Sequence, residues 1–512
     1  MVSNLYSMGI NGINAFVVKI ESDVSRGMPM CDIVGMPDIA VKESRNRVRS
    51  AIKNSGFEFP VARITVNLAP AAIRKTGSLY DLPIFLSILC ASNQFSGDLS
   101  NSIFIGELSL SGDVCSVQGI LSMTLKAKEM GFENIYVPYE NASEASIVTG
   151  INVYAIKNVS ELISHLANEK NIEPTPPTII SRNPVSELLD FSDVRGQESV
   201  KRALEITAAG GHNILMIGPP GSGKSMLASR MPTILPEMSF DEMLECTTIY
   251  SICGALNKKY PLITERPYRS PHSAISAPGL CGGGNPPRPG EISLAHNGVL
   301  FLDEFSEFPR TILDSLRQPL EDGIITVSRV NASNDFPCSI MLVAAMNPCP
   351  CGYFGHPTKD CRCSKTQVEK YLSKVSGPIL DRIDIHIEVP AVSYEDINSN
   401  NVPESSKDIR ERVNKARTLQ INRYKNHTSK KIFSNKQIPT SLLSEVCKLT
   451  SGAKSILERA FDSLSLSARS YNKILKVSRT IADLDQSELI DVPHLSEALQ
   501  YRALDSKYFF SK

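Results

Sequence analysis

Residues 213–231, NILMIGPPGSGKSMLASRM, decide the fold. Four apolar residues lead into Gly218-Pro219-Pro220-Gly221-Ser222-Gly223-Lys224-Ser225, and a helical pattern follows. This is the spacing of a phosphate-binding loop set between a buried strand and a helix. Its glycines let successive backbone N–H groups converge on a β-phosphate, and the helix N-terminus adds partial positive charge. Lys224 is expected to neutralise the β- and γ-phosphates, and Ser225 to give one oxygen to Mg²⁺. The stretch therefore predicts an α/β fold with a parallel sheet, and ATP with Mg²⁺ as its cofactors.

Downstream, GVLFLDEF (298–305) reads as a buried strand ending in two carboxylates. An adjacent Asp-Glu is usually a solvated loop pair. After five apolar residues and a phosphate loop, the chemistry of hydrolysis is the better reading. Asp303 would hold Mg²⁺ through water, and Glu304 would accept a proton from the attacking water. The next apolar run, SIMLVAAMN (339–347), ends in Asn347, placed either to orient that water or simply to cap the strand.

The remaining composition bounds the problem. A chain of 512 residues is expected to form roughly two to four domains. Lys plus Arg and Asp plus Glu stand at 54 each, so any basic surface must be local. The N-terminus lacks a basic segment before an apolar run, and the apolar runs fall short of the roughly 20 residues that span a bilayer. A cytoplasmic protein without a membrane partner is expected. There, twelve cysteines argue for metal binding or burial rather than a disulfide framework. Residues 1–167 alternate β-rich and helical segments, 168–190 are polar and proline-rich as a linker would be, 191–395 carry the sheet, and helical periodicity dominates 396–512.

Several longer segments narrow the reading. RPYRSPHSAIS, GGGNPPRPGEISLAHNGVLFLDEF, LRQPLEDG, AAMNPCPCG and GPILDRIDIHIEVP resemble, in order, the ComM/YifB family of magnesium-chelatase-related AAA+ ATPases. The resemblance runs essentially end to end. It implies an AAA+ core with a C-terminal helical lid, a ring that is a hexamer, and an ATP-driven helicase that promotes branch migration of single-stranded or branched DNA during transformation. It assigns Arg382, in LDRID, the arginine finger that reaches a neighbour's γ-phosphate, where read physically it could be salt-bridged to Asp381 or Asp384. It assigns Arg469 the second sensor, contacting ATP of the same subunit, with Arg479 as its rival. The alternative function is a chelatase-type ATPase that remodels a protein partner.

Two stretches bear on what such a motor holds. Residues 266–290 contain Arg266, Arg269 and Arg288 with no acidic residue, and read as a glycine- and proline-rich loop insertion. Residues 321–342 read as a β-hairpin with Arg329 projecting. Both are expected to line a channel, where arginines contact phosphates without reading sequence; the plainer reading is that they anchor their own loops. NPCPCGYFGHPTKDCRC (347–363) places Cys349, Cys351, Cys361 and Cys363 as two Cys-x-Cys pairs, enough for tetrahedral zinc. His356 could replace one sulfur, and a redox-active or unliganded set is the alternative.

The first domain resembles the proteolytic domain of Lon-type proteases, through APAAIRKTGSLYDLPIFLSIL (69–89) and GELSLSGDVCSVQGILSMTLKAKEMG (106–131). A Ser–Lys dyad needs a neutral amine beside the hydroxyl. The position of the Lon serine falls on Leu79, beside Ser78, and that of the lysine on Leu121, with Lys126 five residues on. A non-proteolytic scaffold, reused for assembly or DNA binding, is expected.

Overall fold

The computed structural model describes residues 2–178, 189–329, 332–356, 358–392, 403–425, 432–463, 466–502, 504 and 508–509. The middle of the expected linker and the boundary near residue 395 lie outside these. No helix among the described residues is long and apolar enough to cross a membrane.

The first domain is built on a seven-stranded mixed sheet in the spatial order Met30–Val34, Arg63–Ala69, Asn14–Ser25, Val2–Asn11, Ser102–Phe104, Asn134–Pro138, Asn152–Ile156. The first two strands form an antiparallel hairpin in register from Val2↔Asp23 to Asn11↔Asn14. The helix Ile39–Asn54 starts where Asp38 accepts from the Val41 amide at 2.8 Å, the usual N-terminal cap. The helix Asp81–Ala91 is apolar almost all round and lies buried on the sheet, as such helices must.

The expected linker begins later than its composition suggests. Thr175 donates its amide to Val153, on the edge of the last strand, at 2.7 Å, and Thr178 donates to Ser146, after the short helix Ala142–Ala145, at 3.2 Å, so residues up to 178 stay bonded to the first domain. Satisfying these backbone groups outweighs the segment's polar, proline-rich character.

The second domain holds a five-stranded sheet in the order Tyr268–Arg269, Val299–Leu302, Met341–Met346, Ile214–Ile217, Ile385–Glu388, parallel throughout. All residues of the three central strands are buried, the pattern of a sheet covered on both faces. Residues 266–290 are therefore not a pure loop insertion: Tyr268 and Arg269 form the edge strand of this sheet. The hairpin is present as Ile324–Arg329 paired with Ala332–Pro337. Gly12, in the turn of the first domain's leading hairpin, approaches Asn334 of this hairpin so closely that a Cβ there would lie 3.1 Å from its side chain. A second tie between the domains runs from Lys258 to Glu140 at 2.7 Å.

The C-terminal helices include Ser406–Tyr424, Ser451–Ser463, Ala468–Leu484 and Val492–Gln500, and share one core with the ATP-loop side of the sheet. Their polar attachment is Asp384, at the head of the last strand. It accepts from the Asn213 amide at 2.9 Å and faces Lys473 at 3.3 Å and His212 at 3.7 Å. Burial alone would raise this carboxyl, but the Lys473 ammonium and His212 outweigh that and hold it well below the usual range. A depressed carboxylate stabilises the fold fully above its unfolded value near 4 and loses that contribution only as pH falls through the lower folded value. Asp384→Ala is expected to destabilise the core by about 3–5 kcal/mol, because Lys473 is left buried without its partner. A urea midpoint lowered at unchanged slope measures this.

Candidate nucleotide site

The phosphate loop leaves the buried strand Ile214–Ile217 at Gly218 and enters the helix Lys224–Ile234. A Cβ on Gly218 would sit 2.3 Å from the Val389 carbonyl oxygen, so only glycine lets the loop lie this close to the sheet. Gly223 precedes the helix at φ +85°, a left-handed conformation that costs other residues energy. Lys224 is only 8% exposed, and its ammonium donates to the carbonyls of Gly218 at 2.7 Å and Pro219 at 2.9 Å and to Asn347 Oδ1 at 3.3 Å. Its partners are neutral, and burial lowers its pKa against the pull of Asp303. An ammonium so placed favours an anion beside it.

Ser225 Oγ donates to Asp303 Oδ2 at 2.6 Å, so the two groups expected at Mg²⁺ are in contact. A hydroxyl and a carboxylate oxygen are the hard donors that this ion takes. Glu304, next in the chain, is exposed and has φ +49°, with its amide donating to Asp303 Oδ1 at 2.9 Å. A non-glycine residue in this region stores strain of roughly 1–3 kcal/mol, and such strain gathers at functional sites. Asn347 does more than cap its strand, because its side chain joins the Lys224 group.

The expected arginines separate sharply. The Arg382 guanidinium donates to Glu321, to the Pro378 carbonyl at 2.8 Å and to the Arg317 carbonyl at 3.2 Å. Its own carbonyl accepts from Asn213 at 2.9 Å. Asn213 stands five residues before Gly218, and at about 3.3 Å per residue the two ends of the strand lie roughly 16 Å apart. The partner of Arg382 is thus neither Asp381 nor Asp384 but Glu321, at the end of the sheet away from the phosphate loop. Arg469 lies 3.9 Å from the other oxygen of the same carboxylate. This groups it with Arg382 instead of with the ATP loop of its own subunit. Arg479 is 1% exposed and is consumed by Asp483 and by the carbonyls of Glu488 and Ser487, which makes it a structural residue.

Arg266 and Arg269 are each held by a carboxylate of the same chain. Arg266 is paired with Glu242 at 2.9 Å and donates to the Asn297 carbonyl at 2.7 Å. Arg269 is paired with Glu291 at 2.6 Å. Arg288 and Arg329 are both exposed. Gly283 pairs with Arg288 in a short antiparallel bridge, and a Cβ on Gly283 would lie 3.0 Å from Arg329 Nη2.

Cys349, Cys351, Cys361 and Cys363 come together with all four sulfurs within 4.8 Å of one another. Three of the separations are 3.4, 3.6 and 3.7 Å. Tetrahedral zinc with bonds of about 2.3 Å sets sulfurs about 3.8 Å apart, so the set fits. Burial opposes ionisation of Cys351, but the amides of Tyr353 and Arg362 and the adjoining thiols bring it down to about 6, toward the thiolate that binds metal. His356 is not a ligand: its Nδ1 accepts from the amides of Thr358 at 3.1 Å and Lys359 at 3.0 Å.

The Lon-type positions hold no dyad. Leu79 packs between the two cores of the first domain, and Leu121 is buried against Leu262. Ser78 donates to Glu107, and Lys126 pairs with Glu129 at 2.9 Å. Two contributors escaped the sequence reading. Gln197, at φ +64° ahead of the helix Glu198–Gly210, donates to the Pro390 carbonyl at 2.6 Å and reaches the Ser222 carbonyl at 3.5 Å. Glu321, which collects both arginines, lay unremarked inside LRQPLEDG. Lys224→Ala is expected to abolish nucleotide binding. Glu304→Gln should retain nucleotide affinity within about threefold yet lower turnover at least roughly 100-fold, the scale of a lost general base; equilibrium binding and single-turnover hydrolysis separate the two.

The comparisons with known proteins agree with this geometry. Residues 190–397 match the family model described as magnesium chelatase, subunit ChlI, and residues 403–502 match its C-terminal model. Residues 20–141 match a model described as subunit ChlI of Mg-chelatase, so the first domain does not by itself separate chelatase-like from DNA-directed readings. The chain is 43% identical over 507 residues to competence protein ComM of Haemophilus influenzae, covering 98% of this chain and 97% of the relative. It is 42% identical over 510 residues to YifB of Escherichia coli, with 98% and 97% covered. A Mycobacterium tuberculosis protein, Rv2897c, is 38% identical over 499 residues, with 97% and 98% covered. Identity at this level across the whole length, with the phosphate loop, Asp303, Glu304 and Asn347 assembled, makes the chain a member of the ComM/YifB family of magnesium-chelatase-related AAA+ ATPases.

Proposed function

We propose that this ATPase is a ring-forming motor that moves single-stranded or branched DNA, in the manner of a helicase that promotes branch migration. The observation that carries the DNA assignment is the pair of exposed arginines, Arg288 and Arg329, gathered at one short β-pair and the adjoining hairpin. Six subunits would present them as a basic collar that grips phosphates without regard to sequence. The relative named a competence protein supports the same direction.

Where the arginines stand supports the ring. Lys224, Ser225, Asp303, Glu304 and Asn347 occupy one end of the sheet, and Arg382 and Arg469 share Glu321 at the other. A neighbour's finger would complete each site, a contribution commonly worth about 10³–10⁵ in rate. Bound ATP with Mg²⁺ supplies the phosphoryl group and the charge that these residues neutralise. Lys224 exchanges carbonyl partners for phosphate oxygens. Ser225 and Asp303 would hold the ion in place of their mutual hydrogen bond, Glu304 would accept a proton from the attacking water, and Asn347 would orient that water. The Cys349, Cys351, Cys361 and Cys363 set holds Zn²⁺ in this reading. The first domain would serve assembly or DNA binding, and its turn at Gly12 meets the hairpin of the same chain at Asn334.

Steady-state ATP hydrolysis with and without single-stranded and branched DNA tests the proposal. Several-fold stimulation is expected, declining steeply with salt, and Arg288→Ala with Arg329→Ala should shift half-maximal stimulation to at least about tenfold more DNA, each removed phosphate contact weakening the salt dependence. Turnover that ignores every DNA tested would favour a chelatase-type ATPase acting on a protein partner.

A further inference from the structure

The cysteine loop is also a wall of the nucleotide site. Gly352, buried between the two cysteine pairs at φ +84°, lies so close to the phosphate loop that a Cβ there would stand 2.5 Å from Pro220 Cδ and 3.2 Å from Pro220 Cγ. Its amide donates to the Cys349 carbonyl at 3.0 Å, and the Phe354 amide donates to Cys349 Sγ at 3.3 Å. Cys349 itself is fully buried in the core that carries the strand Met341–Met346. Two further contacts tie that strand's end to the same loop: the Gly218 amide donates to Met346 at 3.2 Å, and Asn347 accepts from Lys224. The phosphate loop is thus pinned at its start, at Pro220 and at its lysine by one continuous segment, 346–352.

We propose that the metal held by the four cysteines braces the phosphate loop through the Gly352–Pro220 contact, so that metal occupancy sets nucleotide affinity. The inference rests on reading the cysteines as a metal site. Its physical basis is geometric. An ion bonded to all four sulfurs, which lie within 4.8 Å of one another, cross-links the two Cys-x-Cys pairs on either side of Gly352. With the ion in place, the Cys349-Pro350-Cys351-Gly352 turn is fixed and Pro220 rests on a rigid floor. Without that cross-link the two cysteine pairs are no longer fastened to each other, Gly352 is free to withdraw, and the phosphate loop loses its wall. A proline on a glycine is suited to this, because the proline ring is rigid and glycine has no side chain to move.

The loop contains its own control. Gly355 also has positive φ, +74°, but nothing lies within 4 Å of a Cβ built there. Gly352→Ala and Gly355→Ala therefore impose similar backbone strain and differ in the encounter with Pro220. The experiment measures metal content per chain and equilibrium MgADP affinity for the full-length protein, for the same protein stripped of the cysteine-bound metal and returned to Mg²⁺, for both variants, and for Gly352→Ala combined with Pro220→Ala. The expected result is one metal ion per chain, affinity reduced roughly tenfold or more by stripping and by Gly352→Ala, affinity within about twofold of the parent in Gly355→Ala, and substantial recovery when Pro220 is also shortened. Equal nucleotide affinity with and without the metal, or equal behaviour of the two glycine variants, overturns the coupling. A chain that takes up no metal at its cysteines overturns the metal reading on which the coupling stands.

Discussion

The side chain and backbone of Asn213 set the frame for everything else in the ATPase core. Its amide and carbonyl bind Asp384 and Ile385, its side-chain nitrogen binds the Arg382 carbonyl, and its side-chain oxygen accepts from Leu342 and Lys436. One buried asparagine thus ties the heads of three neighbouring strands and the C-terminal helices together. A half-satisfied network of this kind would be worse than an apolar core, whereas a satisfied one is rigid. With the heads of the strands fixed, the tails emerge side by side, Ile217 opposite Met346 and Leu302 opposite Ala344, and these are the tails that carry the phosphate loop, Asp303 with Glu304, and Asn347.

The same frame divides the chemistry between the two ends of one sheet. At the tails stands a lysine with only neutral partners, two metal-type oxygens in mutual contact and a strained glutamate. At the heads stand two arginines with one carboxylate between them. Glu321 closes the short helix Arg317–Asp322, and the hairpin begins one residue after Gly323. The residues that would reach a neighbour's nucleotide are therefore anchored at the root of the element that carries Arg329. Glu321, Gly323 and the hairpin are consecutive in the chain, and Asn334 of that hairpin meets the first domain at Gly12.

How much of this was legible in the sequence depended on the range of the interaction. The phosphate loop, the Asp-Glu strand, the hairpin and the cysteine pairs are local patterns whose chemistry follows from spacing, and each lies where its spacing placed it. The fates of Arg266 and Arg269 were not legible, because Glu242 and Glu291 are 24 and 22 residues away and only the fold brings them into contact. Arg382 and Arg469 were identified by resemblance, but their common partner Glu321 belongs to neither motif. The linker's first half looked free because its polarity and prolines mask backbone hydrogen bonds to a sheet edge. Gly352 beside Pro220 is a meeting of two loops 132 residues apart, visible only in three dimensions.

The most direct test of the divided site is a mixing experiment with two variants, Lys224→Ala and Arg382→Ala, each expected to be nearly inactive alone. In mixed rings, an intact Lys224 site on one subunit can face an intact Arg382 on its neighbour. The account predicts that mixing the two inactive proteins restores ATP hydrolysis to a substantial fraction of the parent rate. If the mixture stays as inactive as its components although the subunits assemble together, Arg382 does not act across the interface, and the division of the site between neighbours is wrong.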